Sequence, residues 1–264
     1  MATGIPLTIT VLGSGTSTGV PTIGCDCEVC TSDHPKNKRT RASILITRND
    51  TGQHIVIDTT PEFRLQMLRA KVTQLSHVLY THTHADHSHG FDDLRAFYFR
   101  TRQPVHCFLP AELIEEFKVR FSYAFRDTGY PGITPQVILE GIPDQTFQIL
   151  GLDVEPVRLP HGAMETTGFR FGSFVYCTDF KNFPEEKIRQ WKGKIHTMIA
   201  SGVHFKEHPT HSNVYQTTEL FQKLEVEQGY ITHLAHQVDY QRDSKDLPEK
   251  VAFAYDGLTL SVTT

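Results

Sequence analysis

Short runs of β-branched and other apolar residues recur along this chain, and Gly, Pro or Asp bounds most of them. Runs of this kind between turn-forming residues are typical of β-strands. The pattern therefore predicts a protein that is rich in strands throughout its length. The predicted strands are Leu7–Leu12, Ser43–Thr47, His54–Ile57, His77–Tyr80, Val105–Leu109, Phe147–Ile149, Val154–Leu159, Thr167–Phe171, Phe174–Cys177, Thr197–Ala200 and Ile231–Leu234.

Other segments place apolar residues at helical spacing. Phe117, Phe121 and Phe125, for example, fall near one face of a helix, as expected for an amphipathic helix that packs on a core. Two strand-rich halves with helices between the strands predict stacked sheets covered by helices. No internal repeat or long linker divides the sequence, so we predict a single domain over residues 1–264. The predicted helices are Pro61–Ala70, Ala111–Arg126, Pro184–Trp191 and Val214–Gln228.

The composition is that of an ordinary globular protein. Hydrophobic residues make up 39% and charged residues 21% of the chain, and the net charge is −4 with histidine neutral. A weakly acidic chain is not attracted as a whole to nucleic acid or to anionic membranes. The first residues, MATGIPLTITVLGSG, lack the basic region and apolar run of a secretory signal. We therefore expect a cytoplasmic protein without nucleic-acid or membrane partners.

Histidine is concentrated in one motif, HTHADH, which comes directly after the predicted strand His77–Tyr80. Residues i and i+2 of an extended chain point the same way, so His82 and His84 can bind one ion together. A turn after them would direct Asp86 and His87 to a second ion. Imidazole and carboxylate groups suit zinc, manganese or iron. A solvated polar loop is the alternative, but the density of ligand-type residues favours a metal site.

Three of the five cysteines crowd into one loop, at Cys25, Cys27 and Cys30. Without a secretory signal, this spacing favours a metal over a disulfide. Three thiolates are one ligand short of a tetrahedral zinc site, and a cluster of free thiols is the alternative. Cys107 and Cys177 lie inside predicted strands and are interpreted as small core residues.

Two further segments carry less specific patterns. The glycine-rich Leu12–Gly19 lacks the Gly-Lys-Ser/Thr ending of a phosphate-binding loop, so we interpret it as a turn that supports the cysteine loop. The basic run that follows forms either a solvated face or part of an anion-binding surface. It consists of Lys36, Lys38, Arg39 and Arg41.

The HxHxDH motif after an apolar strand resembles the main metal motif of the metallo-β-lactamase superfamily. The resemblance extends over about residues 7–263 and implies a four-layer αββα sandwich. It implies that Asp58 braces the site, that Asp179 bridges two metal ions, and that both contribute to catalysis. It also implies two ligand groups around two ions, either manganese or zinc. The first group is His82, His84 and His161, and the second is Asp86, His87 and His233.

The cysteine loop, together with a HxxH sequence near the end, resembles the PhnP-like branch, the phosphoribosyl cyclic phosphodiesterases. In that branch a Cys3His zinc is structural and joins the N-terminal loop to the floor of the active site. His236 lies three residues after His233, and the resemblance implies that it is the fourth zinc ligand. The resemblance also implies a proton-donating histidine just before a helix. His211 fits this position best, and His208 and His204 are the alternatives.

These features predict a dinuclear metal-dependent hydrolase that cleaves a small or cyclic phosphodiester. A thioesterase or lactonase is the second interpretation, because the same metal core attacks acyl carbons. A non-hydrolytic accessory protein, as in pyrroloquinoline quinone biosynthesis, is disfavoured by the intact histidine motif. A tRNA-processing nuclease is disfavoured because the chain has no long basic insertion. The aromatic segment 117–135 is interpreted either as the surface of a homodimer or as a lid over the site.

Overall fold

The computed structural model describes residues 4–126 and 134–264. Within these residues the strands form two seven-stranded sheets. The strands are β1 Pro6–Gly13, β2 Ser43–Arg48, β3 His54–Ile57, β4 His77–Leu79, β5 Val105–Pro110, β6 Val137–Ile142, β7 Phe147–Ile149, β8 Leu152–His161, β9 Met164–Phe171, β10 Phe174–Cys177, β11 Thr197–Ser201, β12 Gln228–Thr232, β13 Val251–Phe253 and β14 Thr259–Thr263.

The first sheet has the order β14-β1-β2-β3-β4-β5-β6, and the second has the order β13-β12-β11-β10-β9-β8-β7. Helices cover the outer faces of both sheets, which confirms the predicted αββα sandwich. No described helix is long and apolar enough to cross a membrane. The helices are α1 Glu28–Thr31, α2 Phe63–Arg69, α3 Ala85–Ser88, α4 Arg95–Thr101, α5 Ile114–Arg120, α6 Glu185–Trp191, α7 Val214–Leu224 and α8 Tyr240–Asp243.

Alternation along each strand builds the layers, because successive side chains of a strand point to opposite faces of its sheet. In β1, the fully buried Leu7, Ile9 and Val11 pack between the two sheets. Leu45 of β2 and Val56 of β3 instead pack towards the helices outside the first sheet. A third cluster fills the space between the second sheet and its helices. The core is therefore three apolar layers, one between the sheets and one on each outer side.

Several element predictions need correction. The predicted helix 111–126 is α-helical only over Ile114–Arg120, with a short 3-10 turn on each side. The predicted helix 214–228 ends at Leu224, and Gln228 already begins β12. Strands β6, β13 and β14 and the helices α1, α3, α4 and α8 were not predicted. Part of segment 117–135, the proposed dimer surface or lid, lies outside the described residues.

The end of α7 shows why that helix stops early. Glu225 has φ of 58°, a left-handed conformation that is costly for a residue with a Cβ and free for glycine. We expect Glu225→Gly to raise the free energy of unfolding by up to about 1 kcal/mol. Lys223→Gly, in the last turn of the same helix, is the matched control and should lower it by about 1 kcal/mol. Urea denaturation measures both; equal destabilisation by the two substitutions would contradict this explanation.

The two sheets also decide where polar residues gather. Strands β3 to β6 run parallel in the first sheet, as do β10 to β13 in the second. The carboxyl ends of parallel strands lie at one edge of a sheet. Asp58 follows β3, Asp179 comes shortly after β10, and His233 follows β12, all three with φ between 54° and 68°. Left-handed conformations of non-glycine residues cost energy and cluster at functional sites.

Candidate metal centres

The residues predicted to bind two ions lie together where the edges of the two sheets meet. His82, His84 and His161 have ligand atoms within 4.8 Å of one another. Asp86, His87 and His233 form a second group with the same spacing. The residues of the two groups match the two predicted ligand sets.

Asp179 lies between the two groups. Its Oδ2 atom is 2.8 Å from His87 Nε2, and its Oδ1 atom is 3.2 Å from His233 Nε2. Asp179 also belongs to a group of candidate ligands with His82 and His87, and to another with His161 and His211. Its side chain is almost completely buried. A carboxylate in this position can contact ions held by either group.

Asp58 lies beneath the cluster and does not line the cleft. Its Oδ2 accepts hydrogen bonds from Thr81 Oγ1 (2.9 Å) and from His87 Nδ1 (2.7 Å), and its Oδ1 accepts one from the Thr81 amide (2.8 Å). Thr81 Oγ1 is in turn 2.9 Å from His82 Nδ1. Asp58 therefore orients both imidazoles, His87 directly and His82 through Thr81. The sequence interpretation did not single out Thr81, although it directly precedes the motif.

This arrangement leaves buried nitrogen atoms without a hydrogen bond, although two of them lie beside the Asp179 carboxylate. His82 Nε2, His87 Nε2 and both nitrogens of His233 are buried and form no hydrogen bond with the described residues. Leaving a buried polar atom unpaired is costly. Metal-ligating histidines commonly donate their other ring N–H to a carboxylate or similar acceptor, as His87 does here. The donor set therefore fits divalent metal ions.

The electrostatics of the cluster also favour a cation. Burial lowers the pKa of His87, but Asp86, Asp179 and Asp58 outweigh it and raise this pKa well above its ordinary value. Burial raises the pKa of Asp179, but His233 and His87 outweigh it and lower this pKa well below its ordinary value. The cluster thus holds ionised carboxylates in a buried place, and positive charge there is stabilised.

A cleft of about 500 Å3 opens above the cluster. His211 lines it and places Nδ1 3.2 Å from Asp179 Oδ1. Burial lowers the pKa of His211 to about 3, although Asp179 opposes this shift. The other lining residues come from both ligand groups, from the turn between β8 and β9, and from two loops. They are Ser17, His84, Asp86, His161, Gly162, Ala163, Met164, Asp179, Thr210 and His233.

The two alternatives to His211 are placed differently. His208 does not line the cleft; its Nδ1 accepts hydrogen bonds from the backbone amides of Thr210 and His211. His204 contacts His208, with ring centroids 5.8 Å apart, and its Nδ1 accepts a bond from the Lys206 amide. The loop that carries His208 and His211 also orients the candidate metal ligand His161, because the Thr210 carbonyl is 3.2 Å from His161 Nδ1. Of the three candidates, His211 has the access that a proton donor needs.

The cysteine loop meets His236 in a separate site. His236 Nδ1 is 3.2 Å from Cys25 Sγ and 3.5 Å from the Sγ atoms of Cys27 and Cys30. Backbone hydrogen bonding from Cys30 lowers the pKa of Cys27 to about 7, which favours the thiolate that zinc requires. Three sulfurs around one imidazole nitrogen fit a structural zinc.

The basic run and the glycine-rich segment, the two less specific patterns in the sequence, connect parts of the fold. In the basic run, Arg39 is 2% exposed and donates hydrogen bonds to the carbonyls of Ala235 and Val238. It therefore joins the segment that follows the cysteine loop to the segment after His233, and is neither solvated nor anion-binding. The first two residues of the glycine-rich segment 12–19 belong to β1 and the rest form a loop, in which Thr16 donates its amide to the Leu234 carbonyl.

Comparisons with known proteins agree with this geometry. The model of the beta-lactamase superfamily domain matches residues 53–234. The crystal structure of a diphosphatase from the PhnP family is 35% identical, with a TM-score of 0.90 and coverage of 98% of both chains. Zinc-bound PqqB from Methylobacterium extorquens is 18% identical, with a TM-score of 0.77, and covers 96% of this chain and 99% of its own; it shares the fold.

A curated relative is an octanoyltransferase from Porphyromonas gingivalis, 37% identical over 250 residues. The match covers 94% of this chain but 50% of that protein, so the chain spans about half the length of this relative. The superfamily match includes the HxHxDH motif, the Asp58 brace and His233, and the PhnP-family match extends over the cysteine loop as well. The chain therefore belongs to the metallo-β-lactamase superfamily and, within it, to the PhnP family.

Proposed function

We propose that this protein is a metal-dependent phosphodiesterase that cleaves a small or cyclic phosphodiester. The observation that carries the proposal is the position of Asp179 at the floor of one open cleft. It contacts His87 and His233 of the second ligand group and His211, and its carboxylate lies within 4.8 Å of ligand atoms of His82 and His161 of the first group. Two divalent ions bound there would lower the pKa of a water molecule and neutralise charge on the phosphoryl oxygens. The cleft volume suits a small substrate.

The protein's own residues divide the remaining tasks. Asp58 orients His87 directly and His82 through Thr81, so these ligands are held in place before ions or substrate bind. His211, on the wall of the cleft, protonates the departing alkoxide as a general acid. A phosphoryl anion beside its ring favours the protonated imidazole and opposes the effect of burial. The 35% identical relative, a diphosphatase, supports a phosphoryl substrate and adds the diphosphate linkage to the substrates worth testing.

A second candidate function is hydrolysis of an acyl substrate such as a thioester. The observation that favours it is the 37% identity with an octanoyltransferase. The matched segment is only half of that protein, and its name describes the whole. A buried metal cluster with a general acid is compatible with acyl chemistry, because developing negative charge on a carbonyl oxygen needs the same stabilisation.

A substrate panel separates the two functions. The metal-stripped protein is refilled with Mn2+ or Zn2+ and offered a phosphodiester, a diphosphate diester, an octanoyl thioester and a lactone. The Asp179→Asn variant serves as the blank. Metal-dependent turnover of the phosphoryl substrates alone, lost in the variant, supports the phosphodiesterase. A higher kcat/KM for the thioester or lactone would replace it with the acyl hydrolase.

The role of His211 predicts a dependence on the leaving group. An alkoxide needs a proton as it departs, whereas a nitrophenolate does not. We therefore expect His211→Gln to lower kcat on an alkyl diester about a hundredfold or more, and to change kcat on a nitrophenyl diester far less. Steady-state kinetics on the two esters measure the difference. Equal losses on both esters would remove His211 from this role, and the same comparison for His208→Gln and His204→Gln tests the alternatives.

A further inference from the structure

Thr83 lies between two metal-site histidines but faces away from them. The rings of His82 and His84 are on one side of the chain, with centroids 4.5 Å apart. Thr83 is 2% exposed and lies against α5 on the other side, where its Oγ1 donates a hydrogen bond to Glu116 Oε1 at 2.9 Å. The motif residue that is not a ligand thus has a specific partner.

A second residue of α5 completes the contact. Arg120 donates a hydrogen bond to the Thr83 carbonyl, and its Nη2 is 2.6 Å from Glu116 Oε1. From the motif side, Ser88 Oγ also donates to the Thr83 carbonyl, at 3.1 Å. The hydroxyl and the carbonyl of Thr83 are therefore both held. We call Thr83, Glu116 and Arg120 the α5 clamp.

The clamp contacts neither the cleft nor any candidate ligand atom. Glu116 and Arg120 are half-exposed, with side-chain exposures of 49% and 30%, and exposed ion pairs contribute little to folding. Their hydrogen bonds instead fix the backbone between His82 and His84. Groups that orient metal ligands in this indirect way change metal affinity strongly when they are removed.

We propose that Glu116 and Arg120 are positioning residues, which hold Thr83 so that His82 and His84 are preorganised for one of the two ions. The proposal rests on the proposed function only in requiring that metal ions bind at this cluster. In this proposal α5 does more than cover the first sheet. It also supports the backbone between His82 and His84 from the outside.

The test is Mn2+ binding by Glu116→Ala, Arg120→Met and Thr83→Val. Mn2+ is the probe because carboxylate oxygens, here those of Asp86 and Asp179, suit it, whereas thiolates select zinc, so the cysteine site is not counted. Bound Mn2+ is counted by electron paramagnetic resonance during a titration, and the melting temperature of the metal-free protein is recorded. We expect one of the two ions to bind about tenfold more weakly, or weaker still, without a matching loss of melting temperature. Glu116→Gln keeps the acceptor oxygen and should restore the affinity.

The same helix offers a matched control. Glu115 and Lys118 form an exposed ion pair at 2.7 Å that does not touch the motif, so Glu115→Ala and Lys118→Met should leave Mn2+ affinity unchanged. Equal affinities for Glu116→Ala and Glu115→Ala would overturn the proposal, as would weaker binding explained by a lower melting temperature. Two bound Mn2+ ions without any diester cleavage would overturn the proposed function and leave the clamp standing.

Discussion

Replacing Asp179 with asparagine is expected to lower kcat/KM for a phosphodiester by more than about a hundredfold. This loss is larger than the roughly 10- to 100-fold loss that follows removal of a residue that only orients a metal ligand. The carboxylate contacts His87 of one ligand group, His233 of the same group and His211 of the cleft wall. Asparagine keeps one oxygen but removes the negative charge that two adjacent cations require. Both the activity and the number of bound Mn2+ ions should fall.

Asparagine is the informative substitution because of the backbone. Asp179 has φ of 54°, and asparagine tolerates the left-handed region better than most residues. Alanine would add strain to the loss of the ligand. The control is Asp144→Ala, since the Asp144 side chain is 91% exposed. Full metal occupancy with unchanged kcat/KM in Asp179→Asn would show that this carboxylate does not connect the two groups.

Loss of the candidate Cys3His zinc site should have the second large effect, this time on stability. Val20, Val29 and Cys30 are the buried members of a small apolar cluster at the cysteine loop, so little core packing holds the loop in place. A structural zinc couples its binding free energy to folding. We expect Cys30→Ser to lower the free energy of unfolding by several kcal/mol, about the loss expected on removing a structural metal.

Two measurements locate that effect. Urea denaturation gives the loss of stability, and Co2+ substitution gives a thiolate-to-metal absorption band that should disappear in Cys30→Ser. Cys177→Ala is the control, because Cys177 is fully buried in the core of the second sheet and is not one of the candidate zinc ligands. This variant should lose some packing energy but keep the absorption band. Retention of the band and of wild-type stability in Cys30→Ser would exclude a Cys3His zinc.

The strands and the HxHxDH cluster could be predicted because their determinants are local, whereas the four-layer sandwich was predicted from the resemblance to a family. The alternation in β1 and the apolar run of β4 specify strands whatever surrounds them. The HxHxDH motif places its ligands by short-range geometry, with the turn into α3 directly after His84. Element ends were predicted less well, since the left-handed Glu225 that ends α7 has no specific pattern in the sequence.

The tertiary structure decided the contacts between distant segments. Cys25 meets His236 across 211 positions of the chain, and the choice of His211 over His208 depends on which ring lines the cleft. The burial of Arg39 and the α5 clamp on Thr83 are likewise invisible to any local pattern.

The sequence by itself therefore determined the strand-rich layers, the family and the donor residues of the two candidate metal sites, because residue type and spacing encode them. Only the folded chain decided which side chains orient the metal ligands, which line the cleft and which join distant loops. The physical reason is that hydrogen bonds and ligand distances depend on how the two sheets meet, and this follows from packing over the whole domain.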